Sequence, residues 1–214
     1  MVYGRAVRRV SYATVVALAA SSFVLPAREA YGIGWFYTAS RQVSTDASGM
    51  SANDGSWVTR TGPSLSTDGR YVVFASAGTN LLAGDLNGHA DVFVKDRASG
   101  AVERVSVSTA GAEADGRSHN PSISGDGRYV AFSSDATNLV PDDTNGVTDV
   151  FVRDRVAGTT TRIVSTSGTE GDENSFSPAL SLDGRIVAFD SKASSLDSTA
   201  TPNTVEDIYV HVNF

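Results

Sequence analysis

The sequence has no cysteine, few histidines and no long apolar run beyond its N-terminal region. Without cysteine there is no disulfide, no thiolate metal site, no cysteine nucleophile and no lipidated cysteine anchor. The three histidines, His89, His119 and His211, are scattered, and no pair has metal-ligand spacing. A Gly-Xaa-Ser-Xaa-Gly nucleophile elbow is also missing. Lysine and arginine number 17 against 24 aspartates and glutamates, a net charge of −7, which argues against a phosphate-binding footprint. After the N-terminal region no long helical period appears. Glycine is plentiful instead, 20 in 214 residues, which suits a loop-rich all-β chain. The rest is ordinary for a globular protein, at 41% hydrophobic and 19% charged.

The N-terminus reads as an export signal. Arg5, Arg8 and Arg9 make a basic start, a mostly apolar run extends from Val10 to Leu25, and Pro26-Ala27 precedes charged Arg28 and Glu29. Basic, apolar and small-residue zones in that order are the layout of a signal peptide. A transmembrane helix needs about 20 apolar residues, so a permanent span fits less well. The organisation expected is a signal peptide over 1–27, a linker over 28–40 and a repeat domain over 41–214.

Three copies of one motif fill that domain. They are Pro63-Ser-Leu-Ser-Thr-Asp68-Gly69-Arg70-Tyr71-Val-Val-Phe74, Pro121-Ser-Ile-Ser-Gly-Asp126-Gly127-Arg128-Tyr129-Val-Ala-Phe132 and Pro178-Ala-Leu-Ser-Leu-Asp183-Gly184-Arg185-Ile186-Val-Ala-Phe189. A second block recurs downstream of each: Asp91-Val-Phe-Val-Lys-Asp96, Asp149-Val-Phe-Val-Arg-Asp154 and Asp207-Ile-Tyr-Val-His-Val212. Each copy predicts four short strands. Asp-Gly marks the tight turn between strands one and two, because glycine accepts a positive φ. Strand two is rich in Tyr, Val and Phe. In the second copy, strand one is expected near Ser122–Ser124, strand three at Asp149–Arg153 and strand four at Thr160–Ser165.

Repeated four-stranded antiparallel units are the signature of propeller blades. The two blocks together resemble the TolB-like, WD-like β-propeller repeats of bacterial envelope and secreted proteins, over about residues 41–213. That resemblance implies a periplasmic or extracellular interaction scaffold binding a protein or carbohydrate partner. The third copy stops at strand three, while Arg41-Gln-Val-Ser-Thr45 matches the strand-four sequences at Arg104 and Arg162. The N-terminal strand can therefore complete the last blade and remove an exposed edge. Three blades are fewer than the usual four to eight. Two chains can pair as a homodimer into a six-bladed ring, one chain can form an open arc or a small ring, or the chain is a fragment of a longer propeller protein.

In an up-and-down blade, the loops between strands two and three share one rim with the loops between blades. That rim collects Asp85, Asp91, Asp115, Asp143, Asp149, Glu170, Asp172 and Glu173, and the opposite rim collects Arg70, Arg128, Arg185, Arg97 and Arg155. The sharpest constellation is Asp85-Leu-Asn87-Gly88-His-Ala-Asp91 with its counterpart Asp143-Thr-Asn145-Gly146-Val-Thr-Asp149. Hard cations want several oxygen ligands, and a tight glycine loop lets them converge, so Asp85, Asn87, Asp91, Asp143, Asn145 and Asp149 are candidate calcium ligands. No bidentate glutamate follows, unlike an EF-hand, and Asp-Xaa-Asn-Gly also makes plain side-chain-stabilised turns. In the third copy Thr201, Asn203 and Asp207 remain, with Thr204 in the glycine position. The reading is a non-catalytic exported scaffold with calcium as a candidate stabiliser. The rival is a hydrolase or lyase using paired acids on the acidic rim.

Overall fold

A computed structural model describes residues 40–59, 62–197, 199 and 205–212. The signal peptide, most of the linker, and Thr201, Asn203 and Thr204 lie outside the described residues.

The repeated Asp-Gly turn is built the same way three times. Asp68 Oδ1 accepts from the Ser66 hydroxyl and the Arg70 N–H, and Asp126 and Asp183 do the same with Ser124 and Arg128, and with Ser181 and Arg185. The glycines that follow have φ of 67°, 75° and 72°, in the left-handed region that costs glycine least. At Gly127 and Gly184 the neighbouring sheet adds a second demand. A Cβ there would stand 2.4 Å from the Tyr71 ring and 2.3 Å from the Tyr129 ring respectively.

Between these turns and their polar loops lie eleven strands, with no helix among the described residues. β1 (Ser56–Trp57), β2 (Tyr71–Ser76), β3 (Asp91–Asp96) and β4 (Val102–Arg104) form the first antiparallel sheet in chain order. β5 (Ser118–Ile123), β6 (Tyr129–Ser134), β7 (Asp149–Asp154) and β8 (Thr159–Arg162) form the second. β9 (Ser175–Leu180), β10 (Ile186–Ser191) and β11 (Asp207–Val212) form the third, which has three strands.

Strand one begins earlier than the sequence predicts. Pro121 lacks an N–H and reads as a boundary, yet β5 runs back to Ser118 through a register shift between His119 and Ser122. Asn120 takes a φ of 49° at that bulge, and Ser177 takes 54° before Pro178. In the first copy the same strand is split. β1 pairs with the end of β2, and Leu65 bridges Val72 separately.

Alternation along the strands sends side chains to both faces of each sheet. Val73, Val92 and Val94 of the first sheet pack against Ile123, Val130, Phe132 and Phe151 of the second. Ala131, Val150 and Val152, on the other face of the second sheet, pack against Leu180, Val187 and Phe189 of the third. The ring pairs Phe74–Phe93, Phe132–Phe151 and Phe189–Tyr209 repeat at 5.9, 5.9 and 5.8 Å. The recurrent aromatics are thus packing residues, each buried side chain stabilising the fold by about 1.5–3 kcal/mol. Hydrogen bonds also link the sheets: Thr67 N–H donates to Gly125 O and Gly125 N–H to Leu182 O, both at 2.8 Å. Arg155 pairs with Glu103 of β4 at 2.7 Å and lies over the Tyr71 ring.

The N-terminal strand does not complete the third sheet. Thr45 bridges Ser51, and the Thr45 and Asp46 carbonyls accept from Lys95 Nζ on β3 at 3.1 and 2.8 Å. The Lys95 ammonium, largely buried in the first sheet, holds the segment there. No strand pairing joins the first sheet to the third among the described residues.

Candidate functional site

The acidic loops of the first two copies each fold around an arginine. In the second copy, Arg162 closes β8, opposite Phe151. Its Nη1 lies 2.9 Å from Asp143, 3.4 Å from Asp149 and 2.7 Å from Glu170. Its Nη2 donates to the Asp142 carbonyl at 3.2 Å. Asn145 organises the loop. It donates to Asp149 Oδ2 and the Gly171 carbonyl, both at 2.9 Å, and its own Oδ1 accepts the Val147 N–H. Glu170 comes from the inter-sheet connection and accepts from the Thr144 N–H and hydroxyl.

The first copy repeats this arrangement. Arg104 reaches Asp85 and Asp91, each at 3.5 Å, and also pairs with Glu113. Asn87 donates to Asp91 Oδ2 at 3.1 Å and to the Ala114 carbonyl at 2.9 Å. Ser106 donates to the other Asp91 oxygen at 2.6 Å. All six sequence candidates are therefore brought together, three in each copy. In the third copy Asp207, whose counterparts Asp91 and Asp149 are buried, is exposed.

Sequence reasoning missed Arg104, Arg162 and Glu113 as members of these sites. The signal was present, because an arginine recurs at the same point of strand four. Its strand neighbour across the ladder is a buried phenylalanine. A guanidinium on such a face needs acids beside it.

Each site gathers three carboxylates and one guanidinium, so negative charge is in excess when all are ionised. Burial raises the Asp85, Asp91 and Asp143 carboxyls above the ordinary range. Asp149 is pushed up to about 6, chiefly by burial. Asn145 and Arg162 pull it down, and the charges of Asp143 and Glu170 push it further up. One ligand oxygen from each of Asp85, Asp91 and Glu113 lies within 4.8 Å of the others, a spacing a hard cation can bridge. Asp85 Oδ1 is buried without a hydrogen-bond partner. The guanidinium, however, already stands where a bound cation would draw these groups together.

The basic rim is also largely paired. Arg70 meets Asp96 at 2.8 Å and Arg128 meets Asp154 at 2.7 Å. These contacts hold Asp96 well below the usual carboxylate range and Asp154 at about 2. In the third copy Val212 replaces that acid. The histidines sit on different elements: His89 in the β2–β3 loop, His119 in β5 and His211 in β11. His119 Nδ1 is buried without a hydrogen-bond partner, and burial lowers the imidazole pKa.

No family model matches the chain, and no curated protein matches it. Among solved structures, it is similar to a protein assigned as TolB from Agrobacterium tumefaciens, at 19% identity and a TM-score of 0.44, over 69% of this chain and 43% of that one. It is also similar to TolB from Acinetobacter baumannii, at 16% identity and a TM-score of 0.43, over 76% of this chain and 31% of that one. The β-propeller domain of the Trilobed protease from Pyrococcus furiosus follows, at 16% identity and a TM-score of 0.37, over 57% of this chain and 31% of that one. The chain therefore spans less than half the length of each of these structures.

Proposed function

We propose that this chain is a propeller-type interaction scaffold without catalysis of its own, exported to the bacterial cell envelope, where it binds a protein or glycan. One observation carries the reading. The charged residues that recur from copy to copy are spent inside the molecule, as Arg104 and Arg162 among the loop acids and as the Arg70–Asp96 and Arg128–Asp154 pairs. Groups committed in this way hold a framework and leave recognition to exposed loop residues, where a rigid scaffold commonly carries its binding groups. Export rests on the basic, apolar and small-residue zones of residues 1–27. The test is a screen of the full chain against envelope proteins, glycans, and glycoside and lactone substrates. Saturable binding with no turnover is expected. Turnover that Asp143→Asn and Asp149→Asn abolish, in folded protein, would overturn the reading.

Calcium stabilisation is a second reading, favoured by the buried, unbonded Asp85 Oδ1 beside Asp91 and Glu113. Asp85, Asn87 and Asp91, and in the second copy Asp143, Asn145 and Asp149, would hold the ion, with affinity on the order of 10⁻⁴–10⁻³ M. A flat calorimetric titration with millimolar calcium and an unchanged melting temperature would end it. A positive titration would add the ion to the scaffold without making it an enzyme.

A further inference from the structure

Equivalent positions of the three sheets differ in exposure at the two ends of the array. Val92, Val150 and Ile208 hold one ladder position, and Val94, Val152 and Val210 hold another, as the strand registers show. In the first two sheets these residues are at most 2% exposed, because the next sheet covers them. In the third sheet Ile208 is 71% exposed and Val210 is 65% exposed. The residues are still apolar where solvent would favour polar ones. This is the same face that forms both sheet-to-sheet cores, here without a covering sheet among the described residues.

The first sheet shows the complementary gap. Leu65, Ile123 and Leu180 bridge equivalent residues Val72, Val130 and Val187. Ile123 and Leu180 are 1% and 6% exposed beneath the preceding sheet, whereas Leu65 is 52% exposed.

Part of a preceding sheet is nevertheless already present there. The Thr45–Ser51 bridge reproduces the Val107–Glu113 bridge, and Ala52 N–H donates to Ser44 O as Ala114 N–H donates to Ser106 O. Gln42 thus holds the register position of Arg104, and its Oε1 accepts from the Ser51 hydroxyl where Arg104 pairs with Glu113. Lys95 grips the Thr45 and Asp46 carbonyls as Arg153 reaches the Ser108 carbonyl. Residues 42–52 therefore stand in the place of a strand four and its following loop, with no strands one to three of that sheet among the described residues. The third sheet supplies strands one to three, with no strand four among the described residues.

We propose that the exposed face of the third sheet docks on the first sheet of a second copy of this chain, whose residues 42–44 then pair with β11 as its fourth strand. The join repeats the two interfaces inside the chain, so it is head-to-tail, and a pair that closes contains it twice. Ile208 and Val210 would cover Leu65 of the other copy, as Val150 and Val152 pack with Leu180. The Leu182 N–H would continue the series of inter-sheet hydrogen bonds that runs through Thr67 and Gly125.

Sedimentation equilibrium of the full chain tests this. A mass of two chains is expected at micromolar concentration. Val210→Lys and Leu65→Lys change exposed side chains on opposite ends of the molecule. Each should leave circular dichroism and the monomer fold unchanged and weaken the dimer by roughly 30-fold or more, the loss typical of a central interface residue. Mixing the two variants should restore dimers, because one join in each mixed pair is then native. A wild-type chain that stays monomeric at about 100 µM, well above the Kd of a specific dimer, overturns the proposal. So does a dimer that Val210→Lys breaks but Leu65→Lys does not, which would mean that two third sheets meet face to face.

Discussion

At the scale of single residues, the telling groups are the two buried arginines. Arg162 draws Asp143, Asp149 and Glu170 into one cluster. Removing one member of a buried ionic group costs more than the group contributes, because the others stay behind uncompensated. Arg162→Met should therefore lower stability by about 3–5 kcal/mol in urea unfolding. Adding Asp149→Asn should recover part of that loss, a non-additivity that a double-mutant cycle measures. The pH dependence follows from the same cluster. The folded-state pKa of Asp149, about 6, lies above the ordinary aspartate value of 3.8, so the folded protein holds this proton more tightly than the unfolded chain. Stability should then fall as pH rises from about 4 to about 6, and level off above that window. Asp96 and Asp154 act in the opposite sense. Their lowered values contribute stability above about pH 4 that is lost as the pH drops toward 2. The melting temperature should peak near pH 4–5, and Asp149→Asn should flatten the side above the peak. A melting temperature that climbs steadily from pH 4 to 7 in the wild type would show that Asp149 is not held this way.

At the scale of elements, the Asp-Gly turns do two different jobs from one motif. Gly69 needs only its positive φ, since the nearest atom to an added Cβ is the flexible end of Arg97 at 3.5 Å. Gly127 needs the φ and also the space, because the Tyr71 ring of the first sheet lies on it. Gly69→Ala should cost about 1 kcal/mol from strain alone. Gly127→Ala should cost roughly twice to three times that, because the ring must also move. Chemical denaturation of the two variants gives the comparison. Equal losses would mean that Tyr71 yields without cost. The bulges at Asn120 and Ser177 follow similar logic. A proline that cannot donate to a ladder is placed where the ladder is already broken.

At the scale of the whole molecule, order should fall from the middle outwards. The second sheet is covered on both faces, and β3 beside it is buried along its whole length. β11 alternates between exposed and half-buried residues. Repeat arrays of this kind open from their ends. In the monomeric Val210→Lys chain, amide exchange should be fastest in β11 and slowest in β3, β6 and β7. Uniform protection across all three sheets would mean that they open only together.

The sequence by itself determined the repeat, the Asp-Gly turns, the strand-rich composition and the grouping of Asp85, Asn87 and Asp91 with one another, and likewise Asp143, Asn145 and Asp149. These are local properties. Turn chemistry, strand alternation and a seven-residue loop act over neighbours in the chain, so copies can be read directly. Only the tertiary structure decided that arginines stand among those acids. Arg104 meets Asp85, Asp91 and Glu113 because β4 lies beside β3 and the connection to β5 folds back over both. It likewise decided that residues 42–52 lie on the first sheet and not beside β11. The segment bridges only itself there, and what holds it is Lys95, about 50 residues away in the chain, whose ammonium donates to the Thr45 and Asp46 carbonyls. Local chemistry specified the units, and contacts between distant segments specified how they are joined.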